Sequence, residues 1–144
     1  MAVAALAVAI LVALSAAASG FEVIGAGLGK SGTSSLRKAL QILGYEAMSS
    51  SAFGMADSWV WDRWLAVVRN GTGSQDFHQV IDFMTFNRLN AVVDEPTAIF
   101  TLELLDKFPD AKVILTTRES PMHWFRSLQR ECTNMFLLTF LPHR

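Results

Sequence analysis

A glycine-rich stretch near the start of the chain, GAGLGKSGTSSL over residues 25–36, places one lysine among glycines and hydroxyl side chains. A glycine loop that opens a helix presents backbone N–H groups to a single anion. Lys30 would add a positive charge, and the hydroxyl groups around it would add hydrogen-bond donors. The stretch therefore predicts an anion site, whose expected residues are Gly29, Lys30, Ser31, Gly32, Thr33 and Ser34.

Three phosphate-loop patterns overlap in this stretch. Residues 27–32 fit the G-x-G-x-x-G pattern of dinucleotide-binding folds, but the acidic residue that should end the second strand is replaced there by serines. A nucleotide triphosphatase loop has four residues between its glycines, whereas residues 25–29 leave three. In the third interpretation, which we favour, KSGTS binds one phosphate to which a leaving sulfuryl or phosphoryl group is attached.

The segments around this loop alternate between strand-like and helix-like patterns. Short apolar, β-branched runs predict strands at 21–25, 91–93 and 113–115, with a weak strand within 45–51. Helical spacing predicts helices at 32–43, 59–70, 77–84, 97–108 and from 121 onward. This alternation predicts an α/β fold of three layers, α/β/α, with a parallel sheet of the P-loop nucleotide-binding type.

The charge balance limits the classes of partner. Twelve basic and 13 acidic residues nearly cancel, so no basic excess points to nucleic acid. Any anion site must therefore be local. The single cysteine, Cys132, excludes an internal disulfide framework and a metal site built from several cysteines.

The N-terminal segment differs from the rest of the chain. Residues 1–18 are apolar apart from Ser15, and the small residues that follow are typical of a signal-peptidase site. We expect 1–19 to be a hydrophobic leader, either a cleaved signal or a membrane anchor, and 20–144 to be the folded domain. This assignment predicts the secretory pathway or Golgi lumen, or membrane association through 1–18; the alternative is a cytoplasmic protein with a hydrophobic extension.

Several segments, in this order, are similar to the P-loop sulfotransferase-like family of the sulfotransferase superfamily. They are residues 21–36 with the KSGTS loop, WDRWLAVVRNGTGSQDFHQV, AVVDEPTAIF and KFPDAKVILTTRESPMHWFRS, and the resemblance extends over about residues 21–128. The resemblance implies an enzyme that moves a sulfuryl group from 3′-phosphoadenosine 5′-phosphosulfate (PAPS) to a hydroxyl or amine acceptor, with no metal. The acceptor itself and the oligomeric state are left open.

PAPS carries a second, remote phosphate, so a second cationic site is expected. Arg118 follows a strand predicted to be buried, at the edge where α/β sheets bind ligands. Its guanidinium group can bind a phosphate through two parallel hydrogen bonds. The resemblance implies a partner serine in the next helix. Ser127 is the expected partner, and Ser120 also lies nearby.

The resemblance also implies the catalytic roles. Lys30 would neutralise charge on the leaving phosphate. Asp94, at a D-x-P strand end, is the expected general base, with Glu95 as the second choice. His78 and His123 are further alternatives.

The chain stops soon after the helix that follows Arg118, whereas the superfamily continues with a loop that covers the nucleotide. We therefore expect the domain to be C-terminally incomplete. Two other functions remain open: a truncated, non-catalytic nucleotide-binding member, and a P-loop triphosphatase or kinase.

Overall fold

A computed structural model describes residues 20–49 and 58–140, with side chains as far as Asn134. The expected leader at 1–19 lies outside the described residues. The strands are β1 (Val23–Gly25), β2 (Ala47–Ser49), β3 (Ala91–Val93) and β4 (Lys112–Ile114). They form a parallel sheet in the order β2-β3-β1-β4, which confirms the predicted α/β class.

Five helices within the described residues accompany the sheet. They are α1 (Thr33–Ile42), α2 (Ser58–Asn70), α3 (Gln75–Phe86), α4 (Thr101–Lys107) and α5 (Pro121–Phe140). Of these, α5 is the longest, at 20 residues. No helix in the described ranges combines the length and the apolar character needed to cross a bilayer.

Alternation along the strands builds a core on each face of the sheet. Val23 and Val93 point to one face, where they pack with Leu40 of α1. Ile24 and Val92 point to the other face, where they pack with apolar residues of α2, α3 and α4. A parallel sheet covered on both faces needs strands that are apolar at nearly every position, which explains the short VIG and AVV runs. The three-layer arrangement is therefore as predicted.

The tryptophan-rich helix contributes mainly to the second core. Trp64 is 2% exposed and stacks on Phe100, with ring centroids 5.4 Å apart. Beside it, Arg63 of α2 donates a hydrogen bond of 2.8 Å to Asp76 of α3. This bond lowers the pKa of the Asp76 carboxyl below its ordinary value.

Two details differ from the sequence predictions. The helix expected at 97–108 begins only at Thr101, because residues 95–100 form turns in which Asp94 O accepts bonds from Thr97 Oγ1 and Ala98 N–H. The strand before Arg118 was expected to be buried, and this was wrong. Among the described strands β4 pairs only with β1, at the sheet edge, and Val113 is 43% exposed.

Candidate active site

The strand order brings three loops to one edge of the sheet. β1 lies between β3 and β4, and all three strands run parallel. Neighbouring strands lie about 4.8 Å apart, and their carboxyl ends share one edge. The glycine loop (residues 25–32) after β1 therefore lies between Asp94 and Glu95, which follow β3, and Arg118, which follows β4.

The glycine loop has an unusual backbone conformation that its neighbours support. Lys30 has φ 66° and Gly32 has φ 104°, both in the left-handed region. For a residue with a Cβ this conformation costs about 1–3 kcal/mol, so the surroundings must hold it. Arg118 Nε donates to Lys30 O at 2.6 Å, and Trp124 Nε1 donates to Gly29 O at 2.8 Å. The β4 loop and α5 thus hold the two carbonyls of the loop beside the lysine.

A cavity of about 620 Å³ opens between the glycine loop, the end of β3 and α5. We call it the first cavity. It contains most of the predicted site, including both predicted catalytic residues. Its lining residues are Gly29, Lys30, Gly32, Thr33, Ser34, Asp94, Glu95, Arg118, Trp124, Leu128 and Glu131.

A second cavity of about 500 Å³ lies on the other side of Arg118, and this arginine lines both cavities. The residues of the second cavity are Ser31, Thr117, Arg118, Glu119, His123, Arg126, Ser127 and Arg130. Ser127 and Arg118 therefore line the same cavity. The binding roles of all these residues remain predictions.

Ser31 differs from its expected place beside Lys30. Its hydroxyl donates to Leu28 O at 2.5 Å and lies 2.8 Å from the Thr116 hydroxyl. The side chain thus fastens the glycine loop to the β4 loop, and it lines the second cavity rather than the first.

Carboxylates of the chain itself contact the groups of the loop that were predicted to bind an anion. Gly29 N–H donates to Glu95 Oε1 at 2.7 Å, and Lys30 Nζ lies 2.6 Å from Glu131 Oε1. A Cβ added at Gly29 would lie 2.8 Å from Glu95 Oε2 and 3.1 Å from Asp94 Oδ1, so a larger residue here would have to displace the Glu95 carboxylate. The loop amide and the lysine therefore both point at negatively charged oxygens.

The other candidates occupy different places. His78 lies on α3 with Nδ1 3.1 Å from Ser74 O, and it lines neither cavity. His123 lines the second cavity, where Nδ1 lies 3.1 Å from Glu119. Ser120 accepts a bond of 3.2 Å from His123 N–H at its hydroxyl, which is the N-cap contact of α5.

On α5, sequence reasoning missed five residues that line the cavities: Trp124, Arg126, Leu128, Arg130 and Glu131. Their spacing within a predicted helix was a usable signal, because residues three or four apart share a face. What the sequence did not show was which face of α5 meets the glycine loop. Within the described ranges, no group of three or more His, Cys, Asp or Glu residues is arranged to hold a metal ion.

Comparison with known proteins identifies the family. The model of the Sulfotransferase domain family matches residues 22–142, so the chain belongs to that family. It is also similar to "Ava biosynthesis cluster protein M" of Aspergillus versicolor, with 35% identity over 114 residues. That match covers 75% of this chain and 42% of the relative, so the chain spans less than half the length of the relative it matches.

Proposed function

We propose that the chain binds PAPS and transfers its sulfuryl group to a hydroxyl or amine acceptor. The first cavity would take the 5′-phosphosulfate at Gly29, Lys30, Gly32, Thr33 and Ser34, and Arg118 with Ser127 would take the remote 3′-phosphate. The observation that carries the proposal is the position of Arg118. Its Nε donates a hydrogen bond of 2.6 Å to Lys30 O, and it lines both cavities, so the two proposed phosphate sites would adjoin at one sheet edge.

The transfer step assigns one task to each catalytic residue. The acceptor oxygen or nitrogen forms a bond to sulfur while the bond from sulfur to the 5′-phosphate oxygen breaks. That oxygen keeps the electron pair and leaves as part of adenosine 3′,5′-bisphosphate. Lys30 neutralises the developing charge, a contribution of about 10²–10³ in rate by analogy with one oxyanion donor. The acceptor proton passes to the carboxylate of Asp94.

A binding-only function is the second candidate, and one observation favours it. Glu95 contacts the Gly29 amide and Glu131 contacts Lys30, so an incoming donor must displace two internal anions before it reaches the loop. If the donor displaces these carboxylates only in part, its sulfuryl group does not reach the position needed for transfer. The chain would then bind the nucleotide without catalysing transfer.

Calorimetric titration with PAPS tests the proposed site. Lys30→Ala should weaken PAPS binding at least about tenfold, which is about 1.4 kcal/mol. Lys38→Ala is the matched control, because Lys38 is an exposed lysine on α1 that lines neither cavity. Equal affinities in Lys30→Ala and the unaltered chain would remove Lys30 from the site.

Assays for sulfuryl transfer to a panel of alcohols, phenols and amines separate the two functions. Transfer that Lys30→Ala abolishes supports the enzyme. Tight PAPS binding without transfer to any acceptor supports the binding-only function.

A further inference from the structure

Helix α5 presents two adjacent rows of side chains to the two cavities. Trp124, Leu128 and Glu131, spaced i, i+4 and i+7, line the first cavity. His123, Arg126, Ser127 and Arg130, spaced i, i+3, i+4 and i+7, line the second. Each spacing keeps its residues on one helical face, so a single helix supplies a wall to both cavities.

The two rows differ in charge. In the first cavity three carboxylates, those of Asp94, Glu95 and Glu131, accompany Lys30. In the second cavity three arginines face a single carboxylate, that of Glu119, which is 3.1 Å from His123 Nδ1. The excess of positive charge at this edge of the sheet therefore lies in the second cavity.

Arg126 and Arg130 differ from Arg118 in the contacts that their guanidinium groups make within the chain. Arg118 Nε donates a hydrogen bond to Lys30 O, so this arginine also holds the glycine loop in place. Neither α5 arginine has an ion-pair partner among the residues whose side chains the structure describes. Their Cα atoms are about 6 Å apart along the helix, close enough for both guanidinium groups to reach one phosphate.

We propose that Arg126 and Arg130 determine which nucleotide the chain accepts, by binding the remote 3′-phosphate of the donor together with Arg118. This inference rests on the proposed function. A phosphate monoester carries a charge of about −1.5 to −2 near neutral pH, more than one guanidinium balances. Two more arginines supply that charge and the paired N–H donors that match phosphate oxygens. A nucleotide without a 3′-phosphate would leave this part of the second cavity unfilled.

The test compares two ligands that differ only in that phosphate. Adenosine 3′,5′-bisphosphate and adenosine 5′-monophosphate are titrated by calorimetry into the full chain and into Arg126→Gln, Arg130→Gln and the double variant. We expect each single substitution to weaken bisphosphate binding about fivefold and the double substitution at least about twentyfold. Monophosphate binding should stay within about twofold in every variant, because that ligand places no phosphate in the second cavity.

Arg69→Gln is the matched control, since Arg69 is an exposed arginine in the last turn of α2 and lines neither cavity. It should leave both affinities unchanged, and thermal melting of each variant checks that the fold is kept. Equal weakening of both ligands would overturn the inference, because it would indicate a general charge effect. Unchanged bisphosphate binding in the double variant would overturn it too, while leaving the proposed function intact if Lys30→Ala still weakens binding. Failure of the unaltered chain to bind the bisphosphate would overturn the proposed function and this inference together.

Discussion

The two predicted catalytic residues share a backbone feature. Lys30 has φ 66° and Asp94 has φ 76°, and they are two of the three non-glycine residues with positive φ in the described ranges. Left-handed backbone is costly for side chains with a Cβ, and aspartate and asparagine tolerate it best. Such residues concentrate at active sites, where the surroundings hold them in place. Here the strained conformations aim an ammonium group and a carboxylate from two neighbouring loops into one cavity.

Asp94→Asn tests the assignment of the general base with little risk to the fold, because asparagine keeps the size of aspartate and accepts left-handed backbone. We expect kcat for sulfuryl transfer to fall by about 10² or more, since loss of a general base typically costs 10²–10⁴. Bisphosphate affinity should stay within about twofold of the unaltered chain. Rate and affinity are measured on the same preparation.

Glu95→Gln is the comparison for this variant. The glutamine oxygen can still accept the bond from Gly29 N–H, so transfer should be largely retained. Loss of transfer in Glu95→Gln, with activity kept in Asp94→Asn, would move the base to Glu95.

At this scale the sequence predicted residue types better than side-chain directions. The KSGTS motif predicted a glycine turn before a helix, and four of its five residues line the first cavity. Ser31 was expected in the same cavity, but its hydroxyl turns to Leu28 O and Thr116. Thr116 lies far along the chain, so this direction depends on how two loops pack and not on the local pattern.

At the scale of elements, α5 organises the site. Ser120 caps its first turn, and Pro121 occupies the first helical position, where a proline loses no helical hydrogen bond. Because these residues fix where the helix begins, they also fix which residues share a face. Trp124 then meets Gly29 O, and Glu131 lies two turns further along, beside Lys30.

Glu131→Gln should strengthen binding of adenosine 3′,5′-bisphosphate. The ion pair between Lys30 and Glu131 must open when a donor takes the lysine, and the substitution also removes a negative charge from the cavity. Half-exposed ion pairs contribute about 0.2–1 kcal/mol, so we expect about a twofold to fivefold gain in affinity. Titration calorimetry measures it.

The matched control is Glu46→Gln, because Glu46 is exposed and lines neither cavity. It should leave the affinity unchanged. Weaker bisphosphate binding in Glu131→Gln would contradict the expectation and would show that Glu131 instead holds Lys30 in its binding position.

The order of the strands and helices along the chain could be predicted from the sequence. The exposure of β4 and the start of α4 could not. Apolar periodicity located the strands and helices of the described ranges, because both faces of the sheet are covered and helices α1 to α4 each have a buried side. The sequence did not reveal that β4 lies at the sheet edge, since Val113 and Ile114 are apolar whether or not another strand covers them. The late start of α4 was missed because the turns at 95–100 contain helix-compatible residues.

At the scale of the whole molecule, the two cores lie on the faces of the sheet, and both cavities lie at its carboxyl edge. The formal net charge is −1, so the chain as a whole does not attract anions. Attraction of an anion must therefore come from local groups, as composition indicated. In the structure, arginines concentrate in the second cavity, on one side of Arg118. The position of that cluster could not be read from composition, because it depends on the face of α5 that meets the β4 loop.

This separation of charge predicts which nucleotide stabilises the folded chain. A ligand that binds only the native state raises the free energy of unfolding by about 2.7 kcal/mol at a concentration of 100 times its Kd. Adenosine 3′,5′-bisphosphate should therefore raise Tm by several degrees, since it can place one phosphate in each cavity. ATP with magnesium should raise Tm little, because its phosphates form one chain whose charge the metal partly neutralises. Thermal melting of the full chain at matched ligand concentrations measures both. Lys30→Ala should reduce the shift with the bisphosphate, and a larger shift with ATP and magnesium than with the bisphosphate would favour a triphosphatase or kinase over a sulfotransferase.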